Sequence, residues 1–169
     1  MAATRTHSKL NPTRNNLPEE TRSQISDLLN RLLASGIDLR GQIKQAHWNV
    51  KGPNFIGLHK LFDKVHESVE EYVDQMAERI VQLGGTAEGT IRVAAERSEL
   101  DEYPLNILSG EEHVRSLSAA LATFGSKIRF AIEEADELED ADTMDLFTEI
   151  SRGMDKWLWM VEAHGQART

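Results

Sequence analysis

Apolar residues recur at spacings of three and four along four long stretches of this chain, and this periodicity constrains its fold more than any other feature. The stretches run from Ile25 to Val50, from Leu58 to Leu83, from Val114 to Ala135 and from Phe147 to Val161. Such spacing places the apolar side chains on one face of a helix. No strand-like alternation and no internal repeat competes with it, so we predict an all-α fold of four amphipathic helices.

The connections between these helices differ greatly in length. The segment KGPN, residues 51–54, separates the first two helices, and a few residues separate the last two, so each pair should form an antiparallel hairpin. Gly84 and Gly85 end the second helix as C-terminal caps do. About 25 residues then lead to the third helix, and within them TIRVAAERSEL, residues 90–100, is predicted to form a short helix. A four-helix bundle with one long crossover has the ferritin-like topology.

The first 18 residues differ from the rest of the chain in composition. They are polar, contain two prolines and carry no acid, which is typical of a disordered segment. We therefore predict a flexible basic arm over residues 1–18, a bundle over residues 19–165 and a short tail over residues 166–169. The positive charges of the arm come from Arg5, Lys9 and Arg14.

Composition excludes several classes of protein. The chain has no cysteine, which rules out disulfides, iron–sulfur clusters and thiolate zinc sites and agrees with a cytoplasmic location. No window approaches the roughly 18 apolar residues of a membrane-spanning helix, and the N-terminus lacks the apolar segment of a secretory signal. The net charge of −9 argues against a body that binds nucleic acid.

Two pairs of potential metal ligands lie on the second helix. His59 pairs with Asp63 and Asp74 pairs with Glu78, each at i, i+4. At about 100° per residue all four side chains fall on one stripe at the rim of the apolar face, but the two pairs are separated by a rise of about 16 Å. One ion cannot reach both pairs within one chain, because metal–ligand bonds are about 2 Å long. Either these are unrelated surface residues, or a second copy of the helix lies antiparallel across the first, with a two-fold axis near Ser68.

A histidine on the first helix strengthens the second alternative. His47 follows Ile43 by four residues and should face the start of the second helix, so His47, His59 and Asp63 would form a half-site to which a partner chain adds two carboxylates. Imidazole and carboxylate without thiolate suit iron, zinc or manganese. The Glu-x-x-His motifs of an ordinary di-iron bundle are absent, since no histidine has Glu three residues before it.

The residues that carry this pattern resemble those of the Dps family, the DNA-binding proteins from starved cells, also called mini-ferritins. The resemblance covers about residues 25–164 and includes KQAHWNVKGPNFIGLH, MAERIVQLGG, the YPL of residues 103–105 and DKWLWMVEAH. The spacing His-x11-His-x3-Asp-x10-Asp-x3-Glu is complete in this chain. The resemblance implies that its five members form a ferroxidase centre shared by two subunits: His47, His59, Asp63, Asp74 and Glu78.

The resemblance also implies an activity and an assembly. Members of the family form a hollow homododecamer, oxidise Fe(II), usually with hydrogen peroxide, and store the ferric mineral inside, with iron and no haem as the metal. This protects DNA from oxidative damage. Trp48, beside His47, is a candidate electron donor to stray oxidant, although packing at the interface is the simpler explanation of a tryptophan there.

Acidic residues cluster at two further places. The run EEADELEDADTMDLFTE, residues 133–149, has no Lys or Arg, and we expect most of it to form a solvated loop between helices. The resemblance implies that Asp142 and Asp145 within it line a three-fold pore that concentrates Fe(II). Glu67, Glu70 and Glu71 lie between the ligand pairs, where they either face the cavity and nucleate mineral or contact solvent.

DNA is a candidate partner. Members of the family that bind DNA usually do so with a basic arm, and Arg5, Lys9 and Arg14 are the matching residues here; the protein would then associate with the nucleoid. One such arm binds weakly, whereas twelve act together by avidity. The acidic body opposes this binding. The alternative function is a DNA-compacting structural protein with little ferroxidase activity, which would predict degraded ligands, and a helical interaction module is a third possibility.

Overall fold

The computed structural model describes residues 10–166, which form five helices. They are α1 (Glu19–Asn49), α2 (Phe55–Gln82), α3 (Ile91–Arg97), α4 (Gly110–Glu137) and α5 (Ala141–Glu162). The described part of the chain contains no strand, only an isolated bridge between Lys51 and Ser109. The prediction of an all-helical bundle with a short helix in the crossover is confirmed. None of the described helices is long and apolar enough to cross a membrane.

The four long helices pack as two hairpins around one core. α1 lies along α2, α4 lies along α5, and contacts between α1 and α4 and between α2 and α5 close the bundle. Phe62, Phe124 and Phe147 are fully buried at its centre, each contributing about 1.5–3 kcal/mol through burial. Gly36 lets α1 approach α2 closely, because a Cβ there would lie 3.1 Å from Val73 Cγ2.

Local signals fix the helix ends near the predicted places. α4 begins with a capping box in which the Ser109 hydroxyl accepts the Glu112 amide and the Glu112 carboxylate accepts the Ser109 amide. Gly52 and Gly84 follow α1 and α2 with φ of +113° and +90°, a left-handed conformation that glycine adopts at little cost. These turns place the end of α1 beside the start of α2.

The acidic run is not the loop that its charge suggests. α4 continues to Glu137 and α5 starts at Ala141, so only three residues connect them and most of residues 133–149 are helical. The turn is made by Glu139, whose φ is +57°, and by Asp140, which caps α5. Acidic side chains on the outer faces of two helices remain hydrated, so their charge does not end either helix.

Side chains of α1 hold the crossover in place. The Asn30 amide donates to the Thr86 carbonyl at 3.1 Å and accepts the Glu88 amide at 2.9 Å. Further along, the Gln42 amide donates to the Asp101 carbonyl at 2.9 Å. These bonds lay the crossover along the bundle and bring Tyr103 toward the start of α4.

Residues 10–18 contact the bundle, unlike the flexible arm predicted from their composition. The Asn11 amide donates to the Gly84 carbonyl at 2.7 Å, and Leu17 packs against the core. Arg22 donates to the carbonyls of Leu17 and Leu83 at 3.1 and 2.9 Å. The carbonyls of Leu83 and Gly84 at the end of α2 thus find donors in Arg22 of α1 and Asn11 of this segment, which composition alone does not reveal.

Candidate metal centre

His47 and His59 face each other where the first hairpin closes. His47 lies in the last turn of α1 and His59 in the first turns of α2, and their rings stack with centroids 3.8 Å apart and planes 21° apart. His47 is 8% exposed and His59 is half-buried. The prediction that the hairpin places these two imidazoles side by side agrees with this geometry.

Each of the two rings is oriented by the backbone of the other residue. His47 Nδ1 lies 2.8 Å from the His59 carbonyl oxygen, and His59 Nδ1 lies 2.9 Å from the His47 carbonyl oxygen. A carbonyl only accepts, so in both rings Nδ1 carries the hydrogen and donates it. In the neutral form of each ring Nε2 then keeps its lone pair, and this is the tautomer that a metal-binding histidine requires.

Asp63 lies beside the stacked rings and is held by a lysine. Its Oδ1 is 2.5 Å from Lys44 Nζ and 3.8 Å from His47 Nδ1. The hydrogen bond from Lys44 holds the pKa of Asp63 below its usual value, so the carboxylate is ionised at neutral pH. The pattern of the sequence gave no reason to single out Lys44, which comes one helical turn before His47 and points to the same side.

Asp74 and Glu78 lie far from this half-site in the same chain. Both are exposed on α2, further along the helix than Asp63 by the rise of about 16 Å that its geometry dictates. Within residues 10–166, no three His, Asp or Glu side chains are placed so that they alone could hold a metal ion. The structure places Asp63 close to the stacked His47 and His59, although these three do not form a three-ligand site by themselves. It leaves the second carboxylate pair exposed elsewhere on α2.

The remaining candidates near the half-site are mostly exposed. Trp48 is 67% exposed although it adjoins a buried histidine. Glu67 and Glu71 face solvent, whereas Glu70 accepts a 2.8 Å ion pair from Arg40. Arg40 and Lys44 are one turn apart on α1 and pair with Glu70 and Asp63, which are two turns apart on α2.

A buried ion pair organises the end of the bundle where α5 begins. Asp140 is 2% exposed and accepts two bonds from Arg79 Nη2, at 2.8 and 3.0 Å. It also accepts the amide and hydroxyl of Thr143 at 3.1 and 2.6 Å. Asp142 and Asp145, the predicted pore residues, are exposed on the first turns of α5, with Asp142 3.9 Å from Arg79.

A second buried histidine forms a pair that the pattern of potential ligands did not indicate. His113 on α4 is 1% exposed, and its Nδ1 lies 2.6 Å from the hydroxyl of Tyr103 in the crossover. Tyr103 belongs to the YPL segment noted in the sequence. In the sequence, His113 was marked only by its position beside the apolar stripe of α4.

The structure places only one of the three predicted DNA contacts. Arg14 is exposed in the segment that packs against the bundle. Arg5 and Lys9 lie outside the described residues.

Comparison with known proteins agrees with this architecture. Residues 26–167 match the family model of the ferritin-like domain. The DNA protection during starvation protein of Agrobacterium fabrum is 42% identical over 161 residues, which cover 95% of this chain and 99% of that protein. A protein of the same name from Mycolicibacterium smegmatis is 33% identical over 88% of this chain and 80% of its own length.

Solved structures give the same result. A Mycobacterium smegmatis Dps structure superposes with a TM-score of 0.85 at 32% identity, covering 93% of each chain. DpsC from Streptomyces coelicolor superposes with a TM-score of 0.91 at 27% identity, covering 99% of this chain and 98% of its own. The matched family model, the relatives and the fold agree, and this chain belongs to the Dps family of ferritin-like proteins.

Proposed function

We propose that this protein oxidises Fe(II), preferably with hydrogen peroxide, at sites shared between two chains, and stores the ferric product in a hollow dodecamer. The observation that carries the proposal is the half-site itself. Hydrogen bonds through Nδ1 hold both imidazoles of the half-site, and the ionised Asp63 carboxylate lies 3.8 Å from His47 Nδ1. A second carboxylate pair is exposed on the same helix, too far away to bind the same ion within one chain. Relatives named for DNA protection during starvation support the same role.

A second chain can bring the two ligand pairs together although they are far apart within one chain. If α2 of a partner crosses antiparallel with a two-fold axis near Ser68, its Asp74 and Glu78 arrive beside His47, His59 and Asp63 of the first chain. The same rotation builds the second site, so each interface holds two. The exposure of Asp74 and Glu78 in the single chain leaves both carboxylates available for this role.

The donor set suits the oxidation of iron. Two Fe(II) ions supply both electrons that hydrogen peroxide needs, so peroxide and two protons become two waters and two Fe(III) form. Three carboxylates favour Fe(III), the harder ion, over Fe(II). Lys44 leaves or shifts when iron binds Asp63, because an ammonium and a cation compete for the same oxygen atom. Trp48 is the exposed aromatic side chain nearest in sequence to the site.

Iron would enter the shell through acidic passages. Asp142 and Asp145 are exposed on the first turns of α5, and three copies around a symmetry axis would concentrate Fe(II). Glu67 and Glu71 are exposed on α2 and are candidates for mineral nucleation. Fe(II) itself is the substrate in this scheme.

DNA is a second proposed partner, and we expect it to bind weakly. Residues 10–18, half of the predicted arm, contact the bundle, and Arg14 lies in this bound part. No contact described above favours the alternative of a DNA-compacting protein with little ferroxidase activity. If the intact protein does not retard DNA at low salt and pH 6, DNA is not a partner.

Removal of the distant carboxylates tests the site. Asp74→Ala combined with Glu78→Ala should slow the first phase of Fe(II) oxidation by about tenfold or more, while the assembled mass is unchanged. Glu133→Ala is the control, since it removes an exposed acid of α4 that no proposed site uses. Oxidation at the normal rate in the double variant would refute the assignment.

Mixed assembly tests whether the site is shared. One variant lacks His47 and His59, and the other lacks Asp74 and Glu78, so neither forms a complete site alone. When the two variants are unfolded and reassembled together, about half of the dimers are mixed, and each mixed dimer has one complete site of its two. About a quarter of the sites of the unaltered protein should therefore return. If confirmed mixed dimers oxidise iron no faster than the separate variants, the metal is not held across two chains.

A further inference from the structure

The Tyr103–His113 pair connects three segments of the chain beside the half-site. Tyr103 comes from the crossover, His113 from the first turn of α4, and the other ring nitrogen of His113 faces the backbone carbonyl of Asn49 without reaching hydrogen-bond geometry. Asn49 ends α1, two residues after His47. A buried imidazole thus lies between a phenol and the helix end that carries a proposed iron ligand.

The protonation of the pair follows from its contacts. Burial lowers the pKa of His113 more than Glu112 and the Asn49 carbonyl raise it, and Lys51 also lowers it, so the ring is neutral at neutral pH. Burial raises the pKa of Tyr103, so the phenol keeps its proton. The hydroxyl therefore donates to Nδ1, and the hydrogen of the ring is on Nε2, toward the Asn49 carbonyl.

We propose that Tyr103 is a one-electron donor of this protein and that His113 is the base that accepts its proton, so that the pair intercepts radical oxidants formed near the iron site. A 2.6 Å hydrogen bond lets the proton move to Nδ1 as the electron leaves, which avoids a charged phenol radical in a half-buried position. The role in interception rests on the proposed ferroxidase function.

The oxidant is a hydroxyl radical, which forms when peroxide meets a single Fe(II) instead of a pair. The O–H bond of Tyr103 breaks, its electron reduces the hydroxyl radical to hydroxide, and its proton moves to His113. The products are a neutral tyrosyl radical, an imidazolium and hydroxide, which balance in charge and atoms. A later Fe(II) returns one electron, becoming Fe(III), while the proton moves back to the phenol.

Tyr72 supplies a control within the same chain. It is the other of the two tyrosines, it is half-buried on α2, and its hydroxyl lies against Gly153 with no described hydrogen bond to a base. Glu149 and Glu71 are its charged neighbours. No described hydrogen bond joins the Tyr72 hydroxyl to a base that could accept its proton as the electron leaves. Tyr72 should therefore be a poorer electron donor than Tyr103.

The first experiment needs no iron. Photogenerated tris(bipyridine)ruthenium(III) is applied to iron-free assembled protein, and samples are frozen for electron paramagnetic resonance. Tyr72→Phe should keep the tyrosyl signal, which then belongs to Tyr103 even if Tyr103→Phe does not fold. His113→Gln should slow formation of the signal by about 10²-fold, and deuterated water should also slow it. A Tyr72→Phe protein that yields only tryptophan radicals, or a rate unchanged in His113→Gln, overturns the proposal.

The second experiment links the pair to iron. Fewer than two Fe(II) per site are added before peroxide, and the same variants are frozen. We expect a tyrosyl signal in Tyr72→Phe and its loss in Tyr103→Phe. A signal with the ruthenium oxidant but none with iron and peroxide overturns the interception role. The ferroxidase function is tested separately, by the Fe(III) absorbance that forms when the unaltered protein receives Fe(II) and peroxide. If no such absorbance forms, the ferroxidase proposal fails, whatever the radical experiments show.

Discussion

Asp140→Ala should destabilise the protein far more than the loss of an ordinary ion pair. The side chains of Asp140 and Arg79 are 2% and 11% exposed, and the substitution leaves a buried guanidinium without its carboxylate. Such a loss costs about 3–5 kcal/mol. Removal of the cap of α5 acts in the same direction, by about 1 kcal/mol when considered alone. At a urea dependence of about 2 kcal/mol per molar, the unfolding midpoint should fall by roughly 1.5–2.5 M.

The matched control is an exposed ion pair of the same length. Arg129 and Asp155 join α4 to α5 at 2.7 Å, with side chains 49% and 60% exposed. Asp155→Ala should therefore cost less than about 1 kcal/mol. Asp140→Asn keeps an acceptor for the cap and should fall between the two. Urea unfolding followed by circular dichroism, on variants of equal assembled mass, measures all three, and equal midpoint shifts for Asp140→Ala and Asp155→Ala would refute the role of burial.

Three further predictions follow from the described contacts. Lys44→Met removes the partially exposed cation that competes for Asp63 and should tighten Fe(II) binding by about 1.4- to 5-fold, the equivalent of 0.2–1 kcal/mol, measured by titration without oxidant. His113 has a lowered pKa, so as pH falls below about 6.5 the unfolded chain binds its proton first and stability declines; His113→Gln should flatten that slope in urea unfolding between pH 5 and 7. Gly84→Ala places a Cβ 2.6 Å from the Asn11 carbonyl oxygen and strains a φ of +90°, so it should expose residues 10–17 to proteolysis, whereas Gly57→Ala, which meets nothing within 4 Å, should not.

Periodicity was sufficient to predict the bundle because each stripe matches the buried face of one helix. The predicted apolar positions Ile25, Leu117 and Ile150 are all fully buried. The helix ends at the acidic run were predicted wrongly, because they depend on Glu139 adopting a φ of +57°, a conformation that no local pattern announces for glutamate. Helical rise also predicted that Asp74 and Glu78 would lie apart from the histidines in one chain.

The sequence patterns did not predict contacts between residues that are far apart in the chain. Arg79 and Asp140 are 61 residues apart, and Lys44 and Asp63 are 19 apart, so each pair exists only because of how two helices are aligned. The same holds for the contact between Asn11 and Gly84, which turned a polar segment expected to be flexible into part of the body. The assignment of iron ligands, pore residues and DNA contacts remains a prediction.

The reciprocal bonds between His47 and His59 have a consequence for iron exchange at the proposed site. Each ring donates to a carbonyl oxygen at the facing end of the other helix. The end of α1 and the start of α2 are therefore held together by bonds between protein atoms alone. A metal that completes a fold cannot leave without unfolding it. In this hairpin hydrogen bonds between protein atoms set the two rings, so iron at the proposed site would bind, react and leave through many cycles without refolding of the hairpin.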